Sequence, residues 1–300
     1  MNNLPIAALA HRIVRLDDPT APPRTGLPMR NDLPPDNTAP LRADQVVQFE
    51  CDGYLVMEGL FDKEELELML GAAKEDRLLH QHAFGRKDAE GRESRLALWN
   101  HPGDDLFGIV SRSRRIVDAM EQLLGGEVKH YHSKLMLKEP LVGGAWEWHQ
   151  DYGYWYQNGC LFPLMASCLI ALDPATRANG CLQVLKGSHH MGRVEHGRFG
   201  DQTGADPERV QAARARMHHI YCDAAPGTGV FFHGNLLHAS DANTSPHPRW
   251  SLICCYNAAR NDPYKDSHHP RYTPLSKVPD SEIKKNGAAL SRADKAFLDP

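Results

Sequence analysis

No Cys-x-x-Cys pair occurs in the chain, and its seven cysteines are an odd number in 300 residues. A chain so long and so poor in cysteine is no disulfide-stapled scaffold, so the cysteines read as reduced thiols of a reducing cytoplasm. Basic excess is also missing: the formal net charge is −4 and the pI about 6.5. A dedicated nucleic-acid binder would carry a basic stripe, so none is expected here. There is no internal repeat, and no segment reads as a leader: the apolar run Leu4–Ala10 is short and followed by His11, Arg12 and Arg15. The last residues, Phe297 to Pro300, form no peroxisomal address. One stretch, between Asp151 and Asp173, lacks charge over a length that could cross a bilayer. It contains Gln157, Asn158, Gly159 and Pro163, which a lipid-facing helix would not hold in its middle. It reads as a loop followed by a buried strand, and no membrane partner is expected.

Proline is unevenly spread. Eight of the 21 prolines fall in residues 1–41, with little periodicity, which predicts a Pro-rich extended arm. A short helix is expected over Asp44–Glu50, then a strand over Gly53–Met57. Asp62 is an N-cap candidate for a helix carrying Leu66, Met69, Leu70 and Ala73. A further helix carries Ile116, Val117, Met120, Leu123 and Leu124 and ends at Gly125-Gly126. Beyond it the texture becomes short apolar runs split by Gly, Pro, Asn and Asp. Strands are expected at Val128–Leu137, Trp146–Asp151, Met165–Leu172, Leu182–Leu185, Gly229–His233 and Trp250–Tyr256, with a helical insert about 200–218. The expected class is α+β with a mainly β, jelly-roll core over residues 42–262, flanking N-terminal helices, and a C-terminal extension over 263–300 packing on the same domain.

The sharpest local feature is His149-Gln150-Asp151. On a strand, residues two apart share a face, so His149 and Asp151 would point together. An imidazole and a carboxylate are two ligands of a two-His-one-carboxylate iron site, which leaves open positions for further ligands. A distant histidine must complete it. His238 is the best candidate, and His233 competes five residues earlier. Taken alone, His-x-Asp equally describes a polar strand end with a hydrogen-bonded histidine. Arg249 opens an apolar strand eleven residues after His238. Its planar fork suits the far carboxylate of a dicarboxylic cosubstrate, and Ser240 could add a hydroxyl. A surface salt bridge is the plainer reading of that arginine.

Together these residues resemble the phytanoyl-CoA dioxygenase family in order from about Ala43 to Asn257. The resemblance rests on Gln48 to Val56, Gly59-Leu60-Phe61, His149-Gln150-Asp151, Asn179-Gly180-Cys181-Leu182 through Gly187-Ser188-His189, Pro226-Gly227, Phe231-Phe232-His233, His238-Ala239-Ser240 and Arg249. It implies a double-stranded β-helix and iron(II), Fe(2+), held by His149, Asp151 and His238. It also implies 2-oxoglutarate clamped by Arg249 and Ser240, with O2 as oxidant and a small-molecule substrate that is hydroxylated as succinate and CO2 leave. By likeness to the related ectoine hydroxylases, Trp155 and Lys138 join the cosubstrate pocket. Where those enzymes carry Gln-Ser-Arg, this chain has His132-Ser133-Lys134. Trp146, Tyr152 and His132 are candidates for the substrate pocket, within an aromatic set that also includes Trp148, Tyr154 and Tyr156. Strand alternation would send about half of that set into the core instead. Asp151 favours hydroxylation or desaturation over halogenation, since the halogenating relatives lack the carboxylate. Two other readings use the same scaffold: a cupin-like zinc or manganese hydrolase or isomerase, and a non-catalytic binding protein. Neither needs the Arg249 clamp.

Overall fold

The computed structural model describes residues 40–292 and 295–298. The proline-rich arm expected over 1–41 lies almost wholly outside the described residues. In chain order the helices are α1 (Ala43–Asp52), α2 (Lys63–Glu75), α3 (Arg77–Gln81), α4 (Leu106–Arg112), α5 (Arg114–Leu124), α6 (Asp151–Trp155), α7 (Pro207–Arg214) and α8 (Glu282–Lys285). The strands are β1 (Tyr54–Met57), β2 (Phe84–Lys87), β3 (Glu93–Trp99), β4 (Val128–Lys138), β5 (Trp146–His149), β6 (Met165–Ala171), β7 (Leu182–Leu185), β8 (His196–Phe199), β9 (Gln202–Ala205), β10 (His219–Cys222), β11 (Gly229–His233), β12 (His238–Ser240) and β13 (Arg249–Ala258). Among the described residues no helix is long and apolar enough to cross a membrane.

The helix ends follow local chemistry. The Asp62 carboxylate accepts from the Glu65 N–H, and the Glu65 side chain returns to the Asp62 N–H, a reciprocal capping box that starts α2. Helix α5 stops at Gly125, whose φ of 71° only glycine adopts without cost.

Two antiparallel sheets make the body. The larger runs β1-β11-β6-β13-β4-β3-β2, the smaller β10-β7-β12-β5. Helices α1, α2, α4 and α5 supply Phe49, Met69, Phe107, Ile116, Val117 and Met120 to a core shared with Leu135, Ile170, Phe231 and Leu252, on the outer face of the larger sheet. The opposite face carries Met136, Leu169, Phe232 and Ile253 toward the smaller sheet. This is the α+β, double-stranded β-helix arrangement expected from the sequence.

Strands β2, β3, β8, β9, β10 and β12 go beyond the expected set. Most are short or rich in charged and small residues, so no apolar run marks them; β3 does carry one, Leu96–Trp99, which the sequence reading leaves unassigned. The stretch after Asp151 is not a loop: it forms α6 and then a 3-10 turn over Tyr156–Asn158. The C-terminal residues add isolated bridges, Ser113 to Val278 and Trp99 to Phe297.

His130, His233 and His269 are each pushed down to about 3 by burial. In the unfolded chain the same groups take up protons near 6.5. Between pH 6.5 and 3 the unfolded state therefore binds more protons, and stability rises with pH across that window. It is complete above 6.5 and is lost as pH falls, at about 1.4 kcal/mol per unit for each histidine. Acid unfolding is expected near pH 5, with uptake of one proton for each buried histidine so depressed, His238 included. Circular dichroism in stepped buffers checks this, and unchanged stability down to pH 4.5 would contradict it.

Candidate iron and cosubstrate site

Strand β5 ends at His149, and Asp151 is the first residue of α6. The two side chains therefore do not share a strand face, which corrects the sequence argument. They converge because Gln150 between them is extended, at φ −111° and ψ 131°, and the chain then turns into the helix. Gln150 holds that corner. Fully buried, its Nε2 donates to the carbonyls of Gly192 and Asn235, both at 2.8 Å, and its Oε1 accepts from Val194 N at 2.7 Å. Its backbone N–H donates to His196 Nε2 at 2.9 Å. Sequence reading passed over Gln150, since nothing local tells a buried glutamine from an exposed one. Gln150→Leu leaves three backbone groups unpaired. It is expected to destabilise the fold by about 3 kcal/mol, at about 1 kcal/mol or more for each stranded group. A thermal melt reads this, and a Tm within a degree of wild type would contradict it.

The third imidazole comes from β12, where His238 pairs directly with His149 across the smaller sheet. The Nε2 atoms of His149 and His238 lie 3.7 and 3.9 Å from Asp151 Oδ1. One potential ligand atom from each residue falls within 4.8 Å of the others, and all three residues are buried. Each imidazole is oriented through its other nitrogen by a carbonyl two residues earlier. His149 Nδ1 meets Glu147 O at 2.6 Å, and His238 Nδ1 meets Leu236 O at 2.9 Å. These contacts aim both Nε2 atoms inward. His149 Nε2 is buried without a hydrogen-bond partner, an orphan that a metal ion would satisfy.

Two hydroxyls hold the carboxylate. Tyr154 donates to Oδ1 at 2.6 Å from one helical turn on, and Ser167 on β6 donates to Oδ2 at 3.2 Å. Burial is the largest influence on Asp151 and opposes ionisation. The charge of Lys134 and the two histidines nonetheless hold it well below the usual carboxylate range. Burial, reinforced by His149, pushes His238 down to about 3, so it is the neutral, ligating form.

A cavity opens from this cluster toward the far end of β4 and β13. Its walls include Lys134, Met136 and Trp146 beside His149 and His238, and Ser240 and Arg249 at the other end. Lys138 and Arg249 are cross-strand partners in the register of β4 with β13. Like charges placed opposite one another repel, and both are buried. Lys138 Nζ donates to Ser240 Oγ at 2.8 Å and to the Asp241 carbonyl at 2.5 Å. Among the described residues Arg249 Nη1 reaches only Ser251 Oγ, at 3.3 Å, and its Nε has no partner. Burial, and then Arg249, push the Lys138 ammonium well below its ordinary range, and burial lowers Arg249 to about 10. Two buried cations held together without an acid make a receptor for an anion. Gly180, at φ 75°, allows this end to close: a Cβ there would lie 2.1 Å from Asp241 O and 3.0 Å from Lys138 Nζ.

The other candidates separate. Trp146 lines the cavity. Trp155 is not at the clamp. It is buried against Tyr131 and His132, with ring centroids 5.1 and 5.5 Å away. Tyr152 turns from the cavity into the body, where its hydroxyl reaches the Leu161 and Cys160 carbonyls at 2.6 and 3.1 Å. His132 is buried in the same aromatic group as Trp155. His233, the competing third ligand, stands apart beside Phe49 and His189. The sequence reading assigns no place beside the carboxylate to Lys134 or Ser167, and holds Tyr154 only as one of the aromatic set rather than as a donor to Asp151. Lys134 was within reach of alternation, being four residues before Lys138 on one strand. Tyr154 was not, because it depends on a helix where a loop was expected.

The profile of the family described as phytanoyl-CoA dioxygenase (PhyH) matches residues 49–251. An ectoine dioxygenase of Bordetella parapertussis is 29% identical over 250 residues, covering 77% of this chain and 80% of the relative. An L-proline trans-4-hydroxylase of Streptomyces griseoviridis is 34% identical over 179 residues, covering 54% and 67%. The crystal structure of EctD from S. alaskensis with bound Fe superposes with a TM-score of 0.69 at 26% identity, over 81% of this chain and 89% of that one. The form with 2-oxoglutarate and 5-hydroxyectoine gives 0.66 at 26% identity, over 87% and 88%. With a family profile spanning two thirds of its length and these neighbours sharing its fold, the chain belongs to the phytanoyl-CoA dioxygenase family.

Proposed function

We propose that the protein is an iron(II)- and 2-oxoglutarate-dependent dioxygenase that hydroxylates a small molecule. The observation that carries this is one cavity lined by His149 and His238 of a buried two-His-one-carboxylate cluster and by Ser240 and Arg249, with Lys138 opposite Arg249 on β4 and, among the described residues, no acid in an ion pair with either cation. A metalloenzyme without a dicarboxylic cosubstrate would have no use for that repelling pair. Iron with 2-oxoglutarate and O2 supplies the oxidising power, one oxygen atom entering the substrate and the other the succinate that leaves with CO2.

In this reading His149, Asp151 and His238 hold the metal on one side and leave the cavity side open. Tyr154 and Ser167 fix the carboxylate, so it keeps its geometry when the other ligands change. Arg249 takes the far carboxylate of the cosubstrate through its fork, with Ser240 and Lys138 beside it. Met136, Leu169, Phe232 and Ile253 line the path between and keep water out. Lys134 lines the same cavity, four residues before Lys138 on β4.

The test is succinate formation by iron-loaded protein given 2-oxoglutarate and O2, together with an anaerobic titration following the visible charge-transfer band of the iron–oxo-acid chelate. Band and succinate are expected from wild type. Their absence in folded, iron-loaded protein would return the reading to another metal or to a binding protein.

A further inference from the structure

Strand β5, which ends at His149, is an edge of the smaller sheet. It pairs with β12 on one side, and among the described residues no strand extends that sheet on the other. A sheet edge leaves a row of backbone N–H and C=O groups unpaired, and a buried edge needs partners for them. Side chains of the β8–β9 hairpin supply these partners. The buried Gln202 amide, on β9, accepts from Glu147 N at 3.0 Å and donates to Ala145 O at 2.9 Å. His196, on β8, accepts from Gln150 N at 2.9 Å. The hairpin thus tracks the stretch that delivers His149 and Asp151, and its last contact falls on the residue between them.

The His196 ring is held on every side. Its Nδ1 donates to Val194 O at 2.7 Å, so its Nε2 is the lone-pair nitrogen turned to Gln150. Burial pushes the ring down to about 4, which keeps it in that neutral form. Ala205 is its cross-strand partner in the hairpin, and Val194 and Ala205 pack with Leu185, Leu237 and Val210 in a small core of their own. Helix α6 is shaped to admit the ring. A Cβ at Gly153 would lie 2.0, 2.3 and 2.3 Å from three of its atoms. Arg193, three residues before His196, donates from Nη1 to the Gly153 carbonyl at 3.2 Å. No local pattern marks His196, which stands in the charged run Arg193–Arg198.

We propose that His196 is a positioning residue for the metal centre, which fixes the peptide between His149 and Asp151 by accepting the Gln150 N–H, and that the β8–β9 hairpin thereby sets metal affinity. The Gln150 side chain pins the same corner through Gly192, Val194 and Asn235, but it leaves the backbone free to turn about that anchor. Turning the peptide between His149 and Gln150 swings the Asp151 carboxylate relative to the two imidazoles. The contact that opposes this is the one His196 makes. Contacts that orient ligands govern affinity although they never touch the ion. The inference rests on the oxygenase reading only for the presence of a metal, and not on its cosubstrate or substrate.

The experiment titrates the full chain, freed of metal, with iron(II) under anaerobic conditions and separately with cobalt(II), whose visible bands report ligand geometry. His196→Phe keeps a ring and removes the acceptor. His196→Gln keeps an acceptor near the place of Nε2. The Phe variant is expected to raise the Kd for both metals about tenfold or more and to shift the cobalt bands, and the Gln variant to return to within about threefold of wild type. Gly153→Ala, which drives the ring from its seat, should weaken metal binding as His196→Phe does. Placed in His196→Ala it should add little further loss, because the new Cβ then has room, a coupling that a double-mutant cycle reads. If the variants lower Tm while the folded proteins keep the wild-type Kd and cobalt bands, His196 is merely structural and the proposal is overturned. His196→Gln behaving like His196→Phe overturns it as well, since the acceptor then has no part. If wild type binds neither metal, the reading of the site fails and takes the proposal with it. If wild type binds both and His196→Phe binds them as tightly, the proposal alone fails.

Discussion

Arg249→Met is expected to change stability and cosubstrate binding in opposite directions. In the protein without 2-oxoglutarate, Arg249 faces Lys138 directly across the β4–β13 ladder, and among the described residues no acid is ion-paired with either. Removing one of two opposed like charges relieves repulsion, and methionine retains much of the buried stem's packing. The cosubstrate-free variant should therefore melt at or above the wild-type Tm. With 2-oxoglutarate the order reverses. Wild type gains about 2.7 kcal/mol when the ligand is present at about a hundred times its Kd, and the variant gains little. Truncating one partner of a buried charge pair costs about 2–5 kcal/mol, so 2-oxoglutarate affinity should fall by about thirtyfold or more. Differential scanning fluorimetry of iron-loaded protein with and without 2-oxoglutarate reads both signs. A lower Tm without ligand, or an undiminished ligand shift, would contradict the clamp. Arg249→Lys should fall between, because it keeps the charge and loses the fork.

His149→Ala, Asp151→Ala and His238→Ala are each expected to remove turnover by about a thousandfold or more, since a bound metal contributes several kcal/mol to such a reaction. Their apo proteins should differ in a way set by burial. His238→Ala removes a neutral ring and leaves a small cavity. Asp151→Ala strands the Tyr154 and Ser167 hydroxyls and removes the carboxylate that sits among Lys134, His149 and His238. It should be the least stable of the three. Iron content after loading, the charge-transfer band and a thermal melt together check this. Retained iron and a retained band in any one variant would remove that residue from the ligand set.

The residues of the proposed chemistry were largely visible in the chain because their spacing is local or ordered. His149 and Asp151 are two apart, Arg249 follows His238 closely, and Asn179-Gly180 marks a turn that a side chain would block. Composition and texture likewise indicated helices first and a β core after. What could not be read there is which side chains meet once strands distant in sequence pair. The register of β4 with β13 sets Lys138 against Arg249, turning two unremarkable cations into an anion receptor. The corner built by Gln150, not a continuous strand, brings Asp151 to the two imidazoles. Burial makes His238 a neutral ligand. The sequence by itself determined the ligand types and the fold class, because periodicity and turn residues act over a few positions. Only the tertiary structure decided register, burial and the approach of residues as far apart as Gln150 and His196, because these depend on long-range pairing that no local pattern encodes.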